Sequence, residues 1–362
     1  MISNDDVNDD VNDDVIDNVI DNVIDDVNDD VIDDVNDDSN IFFNRLELVL
    51  RNHGLSPFSS KIALAYLQKH LKKEGGNKCL ARVMQYLLDK LNNKLIAPNV
   101  DWQKGCPNII PNLKSSSIWK KDIFSWVELL EKSYNDIKSE FLALRNENVN
   151  VFQPYRSPIS SSEKQQDNLG EMATDRGSWN VCYLYLHGMD FEENLMKCPI
   201  TTEVMKSIPR LYDHSFFSAL APNTHITSHY GPTNKKLRCH LPLLIPEGDV
   251  SWLRVGDDRI ILKEGECVIF DDSFEHEAGN DSLSDPRVIL VIDFWHPDLT
   301  DEEIYFFKFM NNAQLNAAKK IAKMQGFNKN NNNQDFFTVI SNARKNGIVP
   351  SNQVWGYQVN DD

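Results

Sequence analysis

From Trp179 onward the chain breaks into short runs rich in Val, Ile, Leu and Phe, each bounded by Gly, Pro, Asn or Asp. The runs cover residues 181–186, 216–220, 237–245, 252–255, 259–262, 267–270 and 287–294. Strand-length segments separated by turn residues predict a sandwich or jelly roll. Val255-Gly256-Asp257-Asp258-Arg259 suits a hairpin turn joining two of the strands. Upstream, residues 41–146 carry apolar side chains at three- and four-residue spacing, as in Phe43, Leu46 and Leu50 or Trp126, Leu129 and Leu130. That spacing predicts helices, interrupted at Gly75-Gly76 and again between Pro98 and Pro111. Another helix is expected over 301–324, then an Asn-rich loop at 328–333 and a short last helix.

The fold class expected is therefore α+β, a jelly-roll core with supporting N-terminal and C-terminal helices. Its boundaries fall at 1–40 for a tail, 41–150 for the helical region, 151–178 for a Ser- and Pro-rich linker, 179–300 for the β domain and 301–362 for the C-terminal helices. A hydrophobic content of 41% is enough to build a core.

The formal net charge of -18 misleads, because the first forty residues hold sixteen Asp and neither Lys nor Arg. Without them, 39 acidic residues face 37 basic ones, since 55 less 16 is 39. The tail repeats Val every four residues between Asp and Asn, which are weak helix formers with repelling carboxylates, so it reads as solvated and disordered. No clustered basic surface stands out for a nucleic-acid backbone. The six cysteines lack any paired spacing and read as reduced cytosolic thiols. No apolar run is long enough for a membrane span and no secretory signal is visible, which together suggest a cytoplasmic protein. Oligomeric state leaves no mark in the sequence.

Five of nine histidines, at 225, 229, 240, 276 and 296, lie between residues 225 and 296 of the β-rich stretch. Neutral imidazole is a common ligand for iron and zinc, and the mouth of a jelly roll can present such ligands from adjacent strands. In 237–245, alternation sets Arg238 and His240 on one face and Leu237, Cys239, Leu241 and Leu243 on the other. Arg287 opens a run that is apolar on both faces, so its guanidinium is expected to be buried and to need an anion. Asp293 shares its face but stands six residues on, roughly 20 Å at about 3.3 Å per residue, too far to serve within the strand. The carboxylate of a ligand would fit through a bidentate fork.

The segments His229-Tyr230-Gly231-Pro232-Thr233-Asn234, Leu237-Arg238-Cys239-His240-Leu241, Phe270-Asp271-Asp272-Ser273-Phe274-Glu275-His276-Glu277 and Asp293-Phe294-Trp295-His296-Pro297 closely resemble the aspartyl/asparaginyl β-hydroxylase family in order and spacing. Glu192-Glu193-Asn194, Cys198-Pro199 and Ile208-Pro209 are similar too. The resemblance runs from about Trp179 to Thr300, with a weaker echo over 106–144. It implies a double-stranded β-helix, cupin-like, that binds iron(II) and 2-oxoglutarate and uses O2 to hydroxylate an unactivated carbon. By it, His229 and His276 would hold the metal and serve catalysis. Arg287, helped by Ser218, would pair with the distal carboxylate of 2-oxoglutarate, and Arg238 with His240 would contact the end nearer the metal. Positive charge there could also favour an acidic substrate side chain.

Oxygenases of the broad class add a carboxylate two residues after the first His. Gly231 stands at that position, as in similar family members. One extra residue lies between His276 and Arg287, which a loop at Ser282-Leu283-Ser284-Asp285 can absorb. Pro242 departs from the usual Gly and hints at an edge strand. Asp271-Asp272 reads as a turn, with a stand-in metal carboxylate as the alternative. His225 and His296 read as structural, and Trp295 as lining either the pocket or the core. The implied substrate is the β-carbon of Asp or Asn in a peptide. A lipid acyl chain, a free amino acid or a non-catalytic binding module are the alternatives.

Overall fold

The computed structural model describes residues 37–72, 80–92, 94, 98, 100–147, 152–155, 174–186 and 189–324. Of the expected acidic tail only 37–40 are described, and of the expected linker only 152–155 and 174–178, while the Asn-rich loop and last helix lie entirely outside these residues. Two compact units divide after Lys94. In the first, α1 (Asp37–Asn52), α2 (Pro57–Lys72) and α3 (Ala81–Leu91) bury Leu46, Leu50, Leu67, Val83 and Leu87 completely. The helical stretch expected over 41–150 is thus split, and its later helices, α4 (Val127–Lys132) and α5 (Tyr134–Glu147), belong to the β-rich unit.

That unit is built of β1 (Ile118–Trp119), β2 (Gln153–Pro154), β3 (Thr174–Arg176), β4 (Trp179–Leu186), β5 (Met189–Asp190), β6 (Leu211–Leu220), β7 (Thr224–His229), β8 (Lys236–Leu244), β9 (Ser251–Val255), β10 (Asp258–Ile261), β11 (Val268–Phe270), β12 (His276–Asn280) and β13 (Arg287–Trp295). Between β5 and β6 come α6 (Glu192–Lys197) and α7 (Pro199–Lys206), and α8 (Asp301–Met324) follows β13. The larger sheet runs β1-β11-β8-β13-β6-β4-β2 with β5 on β4, and the smaller β10-β9-β12-β7-β3. Two antiparallel sheets face to face around one interior make the expected double-stranded β-helix.

Period-two alternation sends each strand of the larger sheet to two cores. Outward, Leu237, Cys239, Leu241, Val288, Leu290 and Ile292 pack against Leu130, Ile137, Phe141 and Met205 of α4, α5 and α7. Glu140 of α5 ties α7 down, accepting the Ile200 and Thr201 backbone N–H groups at 2.7 and 2.8 Å, donors that a helix N-terminus otherwise leaves unpaired. Inward, Val181, Phe216, Ile289 and Val291 meet Ile226, Leu253, Val255 and Ala278 of the smaller sheet. Burying each such side chain stabilises the unit by about 1.5–3 kcal/mol before the entropy cost of ordering it.

The β9–β10 hairpin forms where expected, its two-residue loop beginning with Gly256 at φ 57°. The edge position expected from Pro242 does not hold, since β8 lies between β11 and β13. The proline is tolerated because β11 pairs with β8 only from Arg238 to His240 and has ended before it.

Candidate active site

Register fixes which side chains share each level of the interior. At one end Arg287 stands opposite Leu220, which stands opposite Trp179. Next come Ile289, Ser218, Val181 and Pro242, then Val291, Phe216, Tyr183, His240 and Val268. Asp293, Arg238 and Phe270 follow toward the other end. Each step is about 6.6 Å. The expected cofactor residues Ser218, Arg238, His240 and Arg287 therefore line one interior in sequence.

The smaller sheet brings His229 and His276 directly opposite one another on β7 and β12, with ring centroids 4.1 Å apart. A bulge makes this possible. His276 pairs with His229 but Ala278 with Ile226, so three residues of β7 span two of β12. The extra residue turns His229 inward, while Ser228 faces the outer surface and meets Arg254. Each Nδ1 lies 2.8 Å from a carbonyl two residues back, that of Thr227 for His229 and of Phe274 for His276. A carbonyl can only accept, so both Nδ1 atoms carry the proton and both Nε2 atoms keep a lone pair. This is the tautomer that a metal ligand needs. Burial also depresses both pKa values, with His229 further depressing that of His276, which favours neutral rings.

The two arginines that line the interior differ sharply. Arg238 makes a fork to Asp293, Nε to Oδ1 at 2.7 Å and Nη2 to Oδ2 at 2.9 Å, and approaches Asp272 at 3.4 Å. Burial works against its charge, but these carboxylates outweigh that and hold its pKa above the usual value. Lys236, unnoticed in the sequence, bridges Asp272 at 2.6 Å and Asp293 at 2.8 Å. Arg287 has no carboxylate partner among the described residues, its buried Nε makes no hydrogen bond, and burial alone pulls its pKa down to about 10. Burial and then Arg287 hold the His240 pKa well below the usual imidazole value, which favours the neutral ring, and its buried Nδ1 is unpaired. Ser218 accepts a hydrogen bond from Trp179 Nε1 at 2.9 Å.

A Cβ added to Gly231 would lie 2.6 Å from Asp272 Cγ and 2.7 Å from its Oδ2. The space where the broad class carries its third ligand is thus filled by Asp272, which is buried and held by Lys236. Asp272 has one oxygen, Oδ1, without a hydrogen-bond partner. No group of three or more His, Cys, Asp and Glu among the described residues could hold a metal, so only the two imidazoles converge. Gly231→Ala is expected to destabilise the unit by about 1–3 kcal/mol through overpacking, read as a lower thermal midpoint, because the backbone carbonyl of Asp272 blocks the new methyl as well. A midpoint equal to that of the parent would refute the tight packing.

The neighbouring Asp271 is buried with Ser273 and Gln103 on its carboxylate, and burial pushes its pKa up to about 7. His225 sits on the outer face between Asp175 at 3.0 Å and Glu277 at 3.2 Å. His296 contacts the Lys114 carbonyl at 3.0 Å and Trp295 packs against Tyr212 and Phe307, outside the interior formed by the two sheets. Cys106, Cys182, Cys198, Cys239 and Cys267 are free and buried. No helix among the described residues is long and apolar enough to cross a membrane.

A cupin-like jelly roll with two inward imidazoles and a separate, unpaired guanidinium defines a class of barrel able to hold a metal beside a carboxylate ligand. The sequence profile described as Aspartyl/Asparaginyl beta-hydroxylase matches residues 131–297. Aspartate beta-hydroxylase domain-containing protein 2 of Xenopus tropicalis is 34% identical over 221 residues, 59% of this chain and 55% of that protein. Human aspartyl/asparaginyl beta-hydroxylase is 31% identical over 56% of this chain and 25% of its own length. Ornithine lipid ester-linked acyl 2-hydroxylase of Rhizobium tropici is 30% identical over 60% of this chain and 73% of its own. The chain belongs to the aspartyl/asparaginyl β-hydroxylase family. It spans about half the length of the first curated relatives that it matches.

Proposed function

We propose that the chain is an iron(II)- and 2-oxoglutarate-dependent dioxygenase that hydroxylates an unactivated carbon, the β-carbon of Asp or Asn in a peptide. The observation that carries this reading is the pairing of two proton-free Nε2 atoms with a buried, carboxylate-free Arg287 in one interior. His229 and His276 would hold the metal. Arg287 would take the distal carboxylate of 2-oxoglutarate, with the Ser218 hydroxyl beside it, and His240 the end nearer the metal. Iron(II) with 2-oxoglutarate and O2 supplies the oxidising power for hydroxylation. The protein's part is to orient the reactants, keep the imidazoles neutral and exclude water with apolar walls such as Val181, Phe216 and Val291.

Purified chain supplied with iron(II), 2-oxoglutarate and peptides is expected to form succinate and to add 16 daltons to its substrate. His276→Ala is expected to lower turnover at least ~100-fold and to weaken metal binding measured directly by calorimetry with manganese(II), because one of two protein ligands is gone. Unchanged metal affinity in that variant would refute the assignment. Hydroxylation of a lipid acyl chain is a second reading, favoured by the share of the Rhizobium tropici hydroxylase, 73%, that this chain covers.

A further inference from the structure

We infer that the residue presented to this site is uncharged, an asparaginyl carboxamide in preference to an aspartyl carboxylate, and that the Tyr155 hydroxyl is its hydrogen-bond partner. The inference rests on the hydroxylase reading above. Buried cations could favour an acidic substrate, but those at the metal end already have partners. Lys236 Nζ is shared between Asp272 and Asp293, and Arg238 spends Nε and Nη2 on Asp293. A substrate carboxylate entering here would have to displace one of these carboxylates or lie buried without a protein cation of its own. Either is unfavourable, because a buried charge without its counter-ion has lost its water and gained nothing in return. Arg287 is the interior cation with no such partner, but register puts it three strand steps from Asp293, about 20 Å away, where the distal end of the cosubstrate belongs.

A neutral polar group also packs against this interior. Tyr155 follows β2, and its ring stacks on Trp179 with centroids 3.7 Å apart and planes 16° from parallel. Trp179 in turn donates to Ser218, which locks the platform in place. Phe216 lies along the same ring, at 6.5 Å. The Tyr155 hydroxyl is within electrostatic reach of Arg238, Asp272 and Asp293, yet it makes no hydrogen bond to a described residue. A phenol can donate to an amide oxygen or accept from an amide nitrogen, and a carboxamide offers both. An alkyl chain would leave the hydroxyl unmatched.

The test uses the full chain loaded with zinc(II), which does not support oxidation, and 2-oxoglutarate. It is exposed to a peptide library with a fixed central Asn or Asp and random flanks, and retained peptides are identified by mass spectrometry. Asn peptides are expected to be enriched at least tenfold over their Asp counterparts at neutral pH. Tyr155→Phe, which keeps the ring stack, is expected to cut that enrichment at least tenfold while 2-oxoglutarate binding by calorimetry stays unchanged. Enrichment of Asp equal to or above Asn, or enrichment of neither, overturns the inference, as does an undiminished preference in Tyr155→Phe. Failure of the underlying hydroxylase reading would show separately, as absence of 2-oxoglutarate binding to the metal-loaded chain.

Discussion

Arg287→Met is expected to abolish 2-oxoglutarate binding and at the same time to make the chain more stable. The two effects share one cause. Arg287 is 2% exposed, with no carboxylate among the described residues to offset its charge. Holding an unpaired ion in that position costs free energy that only a ligand returns. A methionine of similar length fills the volume without the charge, so the unliganded protein should gain about 1–3 kcal/mol. For a unit of this size that is a thermal midpoint higher by roughly 2–4 °C per kcal/mol. Loss of a buried, bidentate charge pair should weaken 2-oxoglutarate at least ~100-fold. Arg287→Lys keeps the charge but loses the fork, and is expected to fall between the two. Thermal unfolding without ligand and calorimetry with it decide the matter. A lower midpoint together with retained binding would show that Arg287 is structural.

The outline of the barrel was legible because seven of its strands are continuous or alternating apolar runs. The two strands that carry the imidazoles were not. In β7, Thr-His-Ile-Thr-Ser-His, and in β12, His-Glu-Ala-Gly-Asn, few apolar residues mark the inner face. The bulge also breaks period two just before His229, so counting from Thr224 and Ile226 would have put Ser228 inside. Motif resemblance is what singles both out from the other histidines of the stretch. The same limit hid the partner of Arg238. Alternation placed Arg238 and Asp293 each on its own strand face, but only the β8–β13 register shows them opposite one another. Nothing local in the sequence signals that Lys236 is 1% exposed between two carboxylates. Tyr155 precedes Trp179 by a long connection, which periodicity cannot span.

The register that hid Asp293 also makes it the residue whose loss should harm the fold most. Its carboxylate, fully buried, receives Arg238 at 2.7 and 2.9 Å, Lys236 at 2.8 Å and His214 at 3.3 Å. Asp293→Ala would leave Arg238 and Lys236 in the interior with Asp272 alone to offset them. Removing one partner of a buried ion pair costs about 3–5 kcal/mol, a large part of a typical domain's stability. Burial by itself favours the neutral acid, but Arg238 and Lys236 hold the Asp293 pKa well below the usual carboxylate range. A carboxylate depressed on folding lends stability that is complete above its unfolded value, about 3.9, and fades as pH falls toward the folded one. Denaturant unfolding of the parent should therefore weaken steeply below about pH 4, and Asp293→Ala should lack that part of the acid dependence. Arg238→Met added to Asp293→Ala is expected to recover part of the loss, because it removes a cation left without its fork. If the double variant is destabilised by the sum of the single ones, Arg238 and Asp293 are not coupled, and the ion pair does not hold the metal end of the barrel together.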